Sequence, residues 1–354
     1  MDGSTPLPVR KTWPVLLGLA GLLVLVFCAS LLLGSARIPV VQILRILTGQ
    51  PAANQNWTYI ILNFRLVRSL TALLAGAALA WAGLQMQTLF RNPLADPFIL
   101  GINSGASFGV ALVVLGSGLA GASFLAGLGV LGDLSLAVAA SLGAALALGI
   151  IMLVGRRVRS NTTLLILGLM FGYATSALVS LLIYFSAPER IQAYTLWSYG
   201  SFSGVTWSQM RVMLPVILMG LLVLLALPNV LNVLLLGEDY AKTMGLNANR
   251  ARVFILLSAS LLAGTVTAFC GPIGFLGVAV PHLARNLLHT ADHKVLIPAV
   301  GLMGAIAAVL ADIFAQLPGA QFVLPINVVT SLFGAPFVLW IILRQRKGGT
   351  TFSV

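Results

Sequence analysis

Acidic side chains are nearly missing from this sequence: 8 Asp and Glu stand among 354 residues, against 20 Lys and Arg. Charged residues of both signs make up only 8% of the chain, which excludes a soluble globular domain or a disordered chain. Cysteine is as scarce. Cys28 and Cys270 fall within or beside apolar runs, offer no disulfide framework or zinc spacing, and read as packing residues. His289 and His293 flank Asp292 beside Lys294, which reads as a helix end with capping and interfacial roles; no metal site is expected. Lys11, Lys242, Lys294 and Lys347 all lie outside any phosphate-loop context, so no ATP site and no catalytic residue is expected.

What the chain has is apolar length. Backbone polar groups must be paired internally in lipid, so runs of about 20 apolar residues read as membrane-crossing helices. Ten such spans fit: 13–34, 61–83, 98–116, 134–154, 162–185, 209–227, 252–270, 273–290, 295–315 and 324–343. The first, after Arg10 and Lys11, is long for a signal sequence and reads as a retained span. The fold class is therefore an all-α polytopic membrane protein: a ten-helix domain over 13–343 with polar tails at 1–12 and 344–354.

An even number of spans puts both termini on one side. With that side cytoplasmic, Arg37, Arg45, Arg65, Arg68, Arg190 and Arg211 fall outside and the other basic residues inside, as the positive-inside rule requires. The net charge of +12 is thereby spent on topology, and no nucleic-acid partner is expected. Segments 38–58 and 187–207 read as outside loops, the second with a helix start at Pro188-Glu189-Arg190.

Leu73-Leu74-Ala75-Gly76 recurs as Leu261-Leu262-Ala263-Gly264, and at the same offset Ala80, Gly83 and Pro93 match Ala268, Gly271 and Pro281. The copies open spans that run in opposite directions, the pattern of an inverted repeat; chance remains its rival in a composition rich in Leu, Ala and Gly. The 36 glycines, with other small residues along several spans, suit helices in close approach.

Asp312 is the one carboxylate placed inside a span, near its outer end. It could serve ion coupling, cap the next turn or pair with an arginine. The loop over about 229–251 is the best docking candidate. Glu238 and Asp239 favour a helix start, Gly245 can end it, and Leu236, Gly237, Ala241, Lys242 and Met244 mix polar and apolar character at helical spacing. A short helix parallel to the membrane would suit a cytoplasmic partner.

Three stretches then carry a resemblance. Arg91-Asn92-Pro93-Leu94-Ala95-Asp96-Pro97 leads into Leu100-Gly101-Ile102-Asn103-Ser104-Gly105-Ala106. Gly271-Pro272-Ile273-Gly274-Phe275-Leu276-Gly277 continues to Pro281-His282-Leu283-Ala284-Arg285, and Gly334-Ala335-Pro336-Phe337 closes the set. Along nearly its whole length the sequence resembles the FecCD family, the permeases of ATP-binding-cassette importers for iron-siderophores, haem and cobalamin. The resemblance implies ten spans per subunit and a dimer of permease subunits, identical or homologous. It also implies two cytoplasmic ATPase subunits that hold ATP and Mg, an extracytoplasmic binding protein, and a place in the inner membrane.

It assigns the coupling helix to 236–246 and the central path to the fifth and tenth spans. It places cytoplasmic gates at Asn92 and Leu94 and at Asn161, Thr162 and Thr163, and binding-protein docking at Arg65 and Arg68. Departures from the family pattern are Val67 between those arginines in place of Pro, Gln316 in place of a basic residue, and Asn327 in place of Gly, near the path. The cargo expected from the family is a ferric siderophore, with haem and cobalamin as rivals. A secondary carrier dependent on Asp312 and a non-transporting scaffold are the readings from other classes.

Overall fold

The computed structural model describes residues 9–34, 36, 38–116, 134–155, 161–316 and 323–347. The expected tails therefore lie largely outside the described residues, as does the basic cluster at 156–159. Among the described residues the secondary structure is helical throughout. In chain order the helices are α1 (Val9–Leu32), α2 (Val40–Leu47), α3 (Gln55–Tyr59), α4 (Leu66–Phe90) and α5 (Ile102–Val114). They continue with α6 (Leu134–Gly155), α7 (Asn161–Tyr184), α8 (Pro188–Ser198), α9 (Trp207–Leu225) and α10 (Pro228–Leu235). The last five are α11 (Glu238–Thr243), α12 (Ala248–Cys270), α13 (Leu276–Leu288), α14 (His293–Ala315) and α15 (Ile326–Lys347). A π-helical segment, Ile60–Arg65, joins α3 to α4, so Gln55–Phe90 runs as one 36-residue rod.

Ten helices correspond to the ten expected spans: α1, α4, α5, α6, α7, α9, α12, α13, α14 and α15. Among the described residues, seven helices are long and apolar enough to cross a membrane. The exceptions matter more. α5 and α13 have only 13 residues each, about 20 Å at 1.5 Å per residue, so they fall short of a hydrocarbon core of about 30 Å.

Both short helices open on a left-handed residue, Gly101 (φ 72°) before α5 and Phe275 (φ 70°) before α13. Glycine takes that conformation freely, whereas Phe275 has to be held in it. A glycine on the neighbouring long helix receives each turn: the Cβ of Phe275 crowds Gly334 on α15, and Gly101 packs by Gly168 on α7.

Those matching turns belong to a structural repeat. α4 to α7 recur as α12 to α15 in the same order and with similar lengths. The two sets exchange partners, since α4 packs on α13 and α14 while α12 packs on α5 and α6. Gly76 on α4 lies against Gly304 of α14, and its sequence match Gly264 on α12 faces Ala144 of α6. The echo between Pro93 and Pro281 does not survive in space. Pro93 sits in the linker after α4, whereas Pro281 lies inside α13.

Close approach holds the centre together. A Cβ on Gly83 would stand 1.9 Å from the carbonyl oxygen of Gly277 in α13, and one on Gly76 would stand 2.2 Å from that of Gly304. Lipid tails are as apolar as these helices, so burial gives little drive and tight contact between small residues replaces it. Across α14, Trp81 donates its indole N–H to the Ile297 carbonyl at 2.8 Å.

Candidate functional site: a coupling end and an opposite end

One end of the bundle gathers the linker after α4, the α10–α11 pair, the start of α12 and the turn between α13 and α14. Gly237, with φ 107°, separates α10 from α11, and Gly245, with φ 83°, ends the turn that follows. α11 is one and a half turns long with Glu238 and Asp239 in its first turn, where a helix dipole favours acid, and Lys242 in its last. Ala241 is fully buried, whereas Leu236, Tyr240 and Met244 are 60%, 54% and 58% exposed. The short helix thus turns one small residue inward, while it and the residues flanking it present larger apolar side chains outward.

Two sets of contacts tie this pair to the bundle. Glu238 Oε1 meets Arg252 Nη2 of α12 at 2.7 Å, with Arg252 almost wholly enclosed. The Asp239–Lys242 pair at 3.0 Å stays in solvent. From α10, Asn232 Nδ2 donates to Asp292 Oδ1 at 2.7 Å, and Asn232 Oδ1 accepts from the backbone N–H of His293 at 2.9 Å. The same oxygen lies 2.7 Å from His293 Nδ1, and His293 Nε2 lies 2.8 Å from Thr88 Oγ1 of α4. α10, α14 and α4 are therefore joined through one imidazole. Asp292 is the N-cap of α14, accepting from Lys294 N at 3.0 Å. Burial works to raise its carboxyl pKa, but the Asn232 and Lys294 bonds and the nearby positive charges prevail and hold it below the usual value.

Of the expected gate residues, Asn92 closes a local turn by accepting from Leu94 N at 2.9 Å, and Leu94 projects outward. Arg91 before them takes a left-handed conformation, and its guanidinium lies beside Gly237. This joins the linker to the turn between α10 and α11, a contact sequence spacing does not reveal. Asn161 and Thr162 start α7, with their side chains outside the description, and Thr163 is exposed. α7 then packs along Pro97–Leu100, so the two gate segments belong to neighbouring elements. Asp96 in the linker accepts from Phe98 N at 2.9 Å; burial pushes its carboxyl up to about 6 against the pull of that bond.

At the opposite end Arg65, expected at the docking surface, turns inward. It is buried, at 4% exposure, and donates to the carbonyls of Leu31 at 2.8 Å and Leu32 at 3.3 Å and to that of Ala36. The first two are unmet carbonyls at the end of α1 and the third lies in the stretch after it, and an arginine's fixed fork of donors suits them. Gly34 leaves the room, since a Cβ there would lie 2.8 Å from Arg65 Nη2.

Arg68 is mostly enclosed and pairs through Nε with Asp312 Oδ2 at 3.1 Å. Gln316 donates to that same oxygen at 2.9 Å. The residue that departs from the family pattern therefore completes the shell of the buried carboxylate. Asn327 likewise has a structural partner, as its Oδ1 accepts from Gly274 N at 3.2 Å and steadies the turn before α13.

Comparison with known proteins agrees with this architecture. The FecCD transport family model matches residues 22–344. The vitamin B12 import system permease protein BtuC of Salmonella paratyphi A is 38% identical over 287 residues, covering 80% of this chain and 84% of that protein. The protein of the same name from Citrobacter koseri is 38% identical over 286 residues, covering 80% and 83%. A solved inward-facing structure, described as of an ABC transporter of metal-chelate type, superposes with a TM-score of 0.80 at 32% identity, covering 94% of this chain and 99% of that one. PsaBC from Streptococcus pneumoniae, at 17% identity and a TM-score of 0.52, shares the fold alone. On the extent of the family match, the chain belongs to the FecCD transport family, as a non-enzymatic membrane permease.

Proposed function

We propose that this permease works in an ATP-binding-cassette importer that moves a bulky metal chelate across the cytoplasmic membrane. Its partners are a second permease subunit, two cytoplasmic ATPases that bind ATP and Mg, and an extracytoplasmic binding protein. The coupling end, both termini and the tails 1–12 and 344–354 face the cytoplasm in this reading, in line with the basic residues of the loops. The gates stay with Asn92, Leu94, Asn161, Thr162 and Thr163. Arg68 remains a docking candidate at the opposite end, and Asn327 a residue of the path.

The observation that carries the proposal is the set of exposed apolar side chains on and flanking α11, in a helix pair anchored to α12, α14 and α4. An ATPase groove that grips Leu236, Tyr240 and Met244 would move a unit already bonded to the centre of the bundle. Different affinity of the ATPase nucleotide states for two packings of the bundle supplies the bias.

The ferric siderophore expected from the family, haem and a corrinoid are the cargo readings, the last favoured by relatives named for vitamin B12 import. The test is uptake into proteoliposomes holding this permease with its ATPase and binding protein, with ferric siderophore, haem and cobalamin side by side. ATP-dependent uptake of one chelate, lost on charge reversal at Glu238 and Asp239 together, supports the reading. Uptake driven by an ion gradient without the ATPase overturns it and turns attention to Asp312.

A further inference from the structure

A polar recess of about 180 Å³ lies between α5, α7 and α8. Asn103, Ser104 and Ser107 line it from α5, Thr175 and Ser176 from α7, and Tyr194 from α8. The two larger cavities are lined almost wholly by apolar side chains, so this one differs in kind. It also lies far from the N-terminal end of α7. Thr175 is about 21 Å along α7 from Asn161 at 1.5 Å per residue, beyond the level at which Phe171 meets Gly101.

The hydrogen-bond state of the lining identifies what the recess lacks. Thr175 Oγ1 gives its proton to the carbonyls of Phe171 at 2.9 Å and Gly172 at 3.0 Å, which leaves the oxygen free to accept. Tyr194 and Ser107 bond to one another. Asn103 Oδ1 is buried with no hydrogen-bond partner. A buried carbonyl oxygen left unmet is destabilising, so the site lacks a donor. Gly172 keeps the entrance open, since a Cβ there would stand 3.3 Å from Ser104 Oγ.

The recess opens on a flank of α7 that other helices of this chain leave uncovered. Tyr173, Ser176 and Ser180 follow one another there at helical spacing, all exposed. Hydroxyls in such a row are poorly matched to acyl chains and well matched to water. No charged side chain lines the recess, so a bare ion would gain little in exchange for its hydration.

We propose that this recess is a contact site on a water-filled transport route, taking an uncharged donor-bearing group of the cargo, an amide or a hydroxyl, against Asn103 Oδ1 and Thr175 Oγ1. The inference rests on the transporter reading above and deepens it. It makes the recess a specificity element that favours chelates with neutral hydrogen-bonding arms over those whose rim carries only carboxylates.

The test uses the assembled importer in proteoliposomes, with Cys28 and Cys270 replaced by alanine. Ser176→Cys should react with a charged, membrane-impermeant thiosulfonate at least tenfold faster than Leu178→Cys, which is exposed away from the recess. Asn103→Leu and Gly172→Ala, the second retaining every polar group, should each lower uptake of cyanocobalamin or ferrichrome, whichever is carried, by about tenfold. ATP hydrolysis stimulated by the binding protein should stay within twofold of the unsubstituted importer. Equal labelling of the two cysteines overturns the inference, and so does unchanged uptake by both variants. Failure of the unsubstituted importer to take up any chelate would count against the transporter reading instead, and the labelling ratio would still decide whether water reaches the recess.

Discussion

Asn232 and His293 are joined twice through one oxygen: Asn232 Oδ1 receives the backbone N–H of His293 at 2.9 Å and faces its ring Nδ1 at 2.7 Å. The first bond fixes the amide orientation, because Nδ2 must then point at Asp292. That orientation in turn makes Nδ1 the protonated nitrogen, leaving Nε2 to meet the Thr88 hydroxyl. A motion of α10 therefore cannot occur without acting on α14 and α4.

Replacing Asn232 tests that junction. Asn232→Ala leaves two donors of His293 unmet and should cost about 1–3 kcal/mol, seen as a lower thermal unfolding midpoint in detergent. Asn232→Asp should be worse than alanine at neutral pH, because a carboxylate oxygen would then face Asp292 Oδ1 where a 2.7 Å donor stood. A midpoint for the aspartate variant equal to that of the unsubstituted protein would refute the orientation.

Gly83 tests close packing. Gly83→Ala drives a methyl into the backbone of Gly277 and should abolish recovery of monodisperse protein from detergent. Gly18→Ala, with nothing within 4 Å of the new Cβ, should be recovered normally and unfold within about 0.5 kcal/mol of the parent.

Asp96 sets a pH dependence. Its folded-state pKa of about 6 lies above the ordinary carboxylate value, so between those two pKa values the native protein binds more protons than the unfolded chain. Lowering the pH from 7 to 5 should therefore stabilise the protein through Asp96. Asp292 works the other way, its contribution being present above the ordinary carboxylate pKa and lost as pH falls through its depressed folded value. Asp96→Asn keeps an acceptor for Phe98 N and should remove the gain between pH 7 and 5, read from unfolding midpoints at the two pH values.

Arg65 separates architecture from docking. Arg65→Gln should loosen α1, exposing it to limited proteolysis, while the affinity of the folded importer for its binding protein stays within about twofold. Arg65→Lys should not restore the protein, because an ammonium cannot reproduce the fork that serves three carbonyls. A large loss of binding-protein affinity with α1 still protected would return Arg65 to the docking surface.

These residues also mark what a sequence discloses. Membrane spans are legible because apolar length is written directly in composition, and the bounds of α12 and α14 follow within a few residues, whereas α4 runs on to Phe90, well past the expected end at 83. α5 and α13 read as full spans because their lead-ins are apolar as well. Only the left-handed turns at Gly101 and Phe275 reveal that each helix starts late. Glu238, Asp239 and Gly245 disclose α11 through dipole and turn preferences. The partners Arg252, Asn232 and Thr88 stay hidden because each is polar for a reason that lies on a different helix. Arg65 is ambiguous for the same cause: a basic residue at the end of a span looks the same in sequence whether it reaches outward or back to a neighbouring helix.

Neither α5 nor α13 can be released into lipid as a finished span. The stretches that lead into them, 98–101 and 271–275, carry amides that hydrocarbon would leave unmet, so protein must cover them first. For 271–275 the cover comes partly from α8, whose Trp197 carbonyl approaches Gly271, and partly from Asn327 on a helix synthesised later. Biogenesis of this permease therefore cannot finish helix by helix at the translocon. The lead-in to α13 has to wait for the last helix, and a ribosome stalled before α15 would leave a chain whose eighth span is not yet stably inserted.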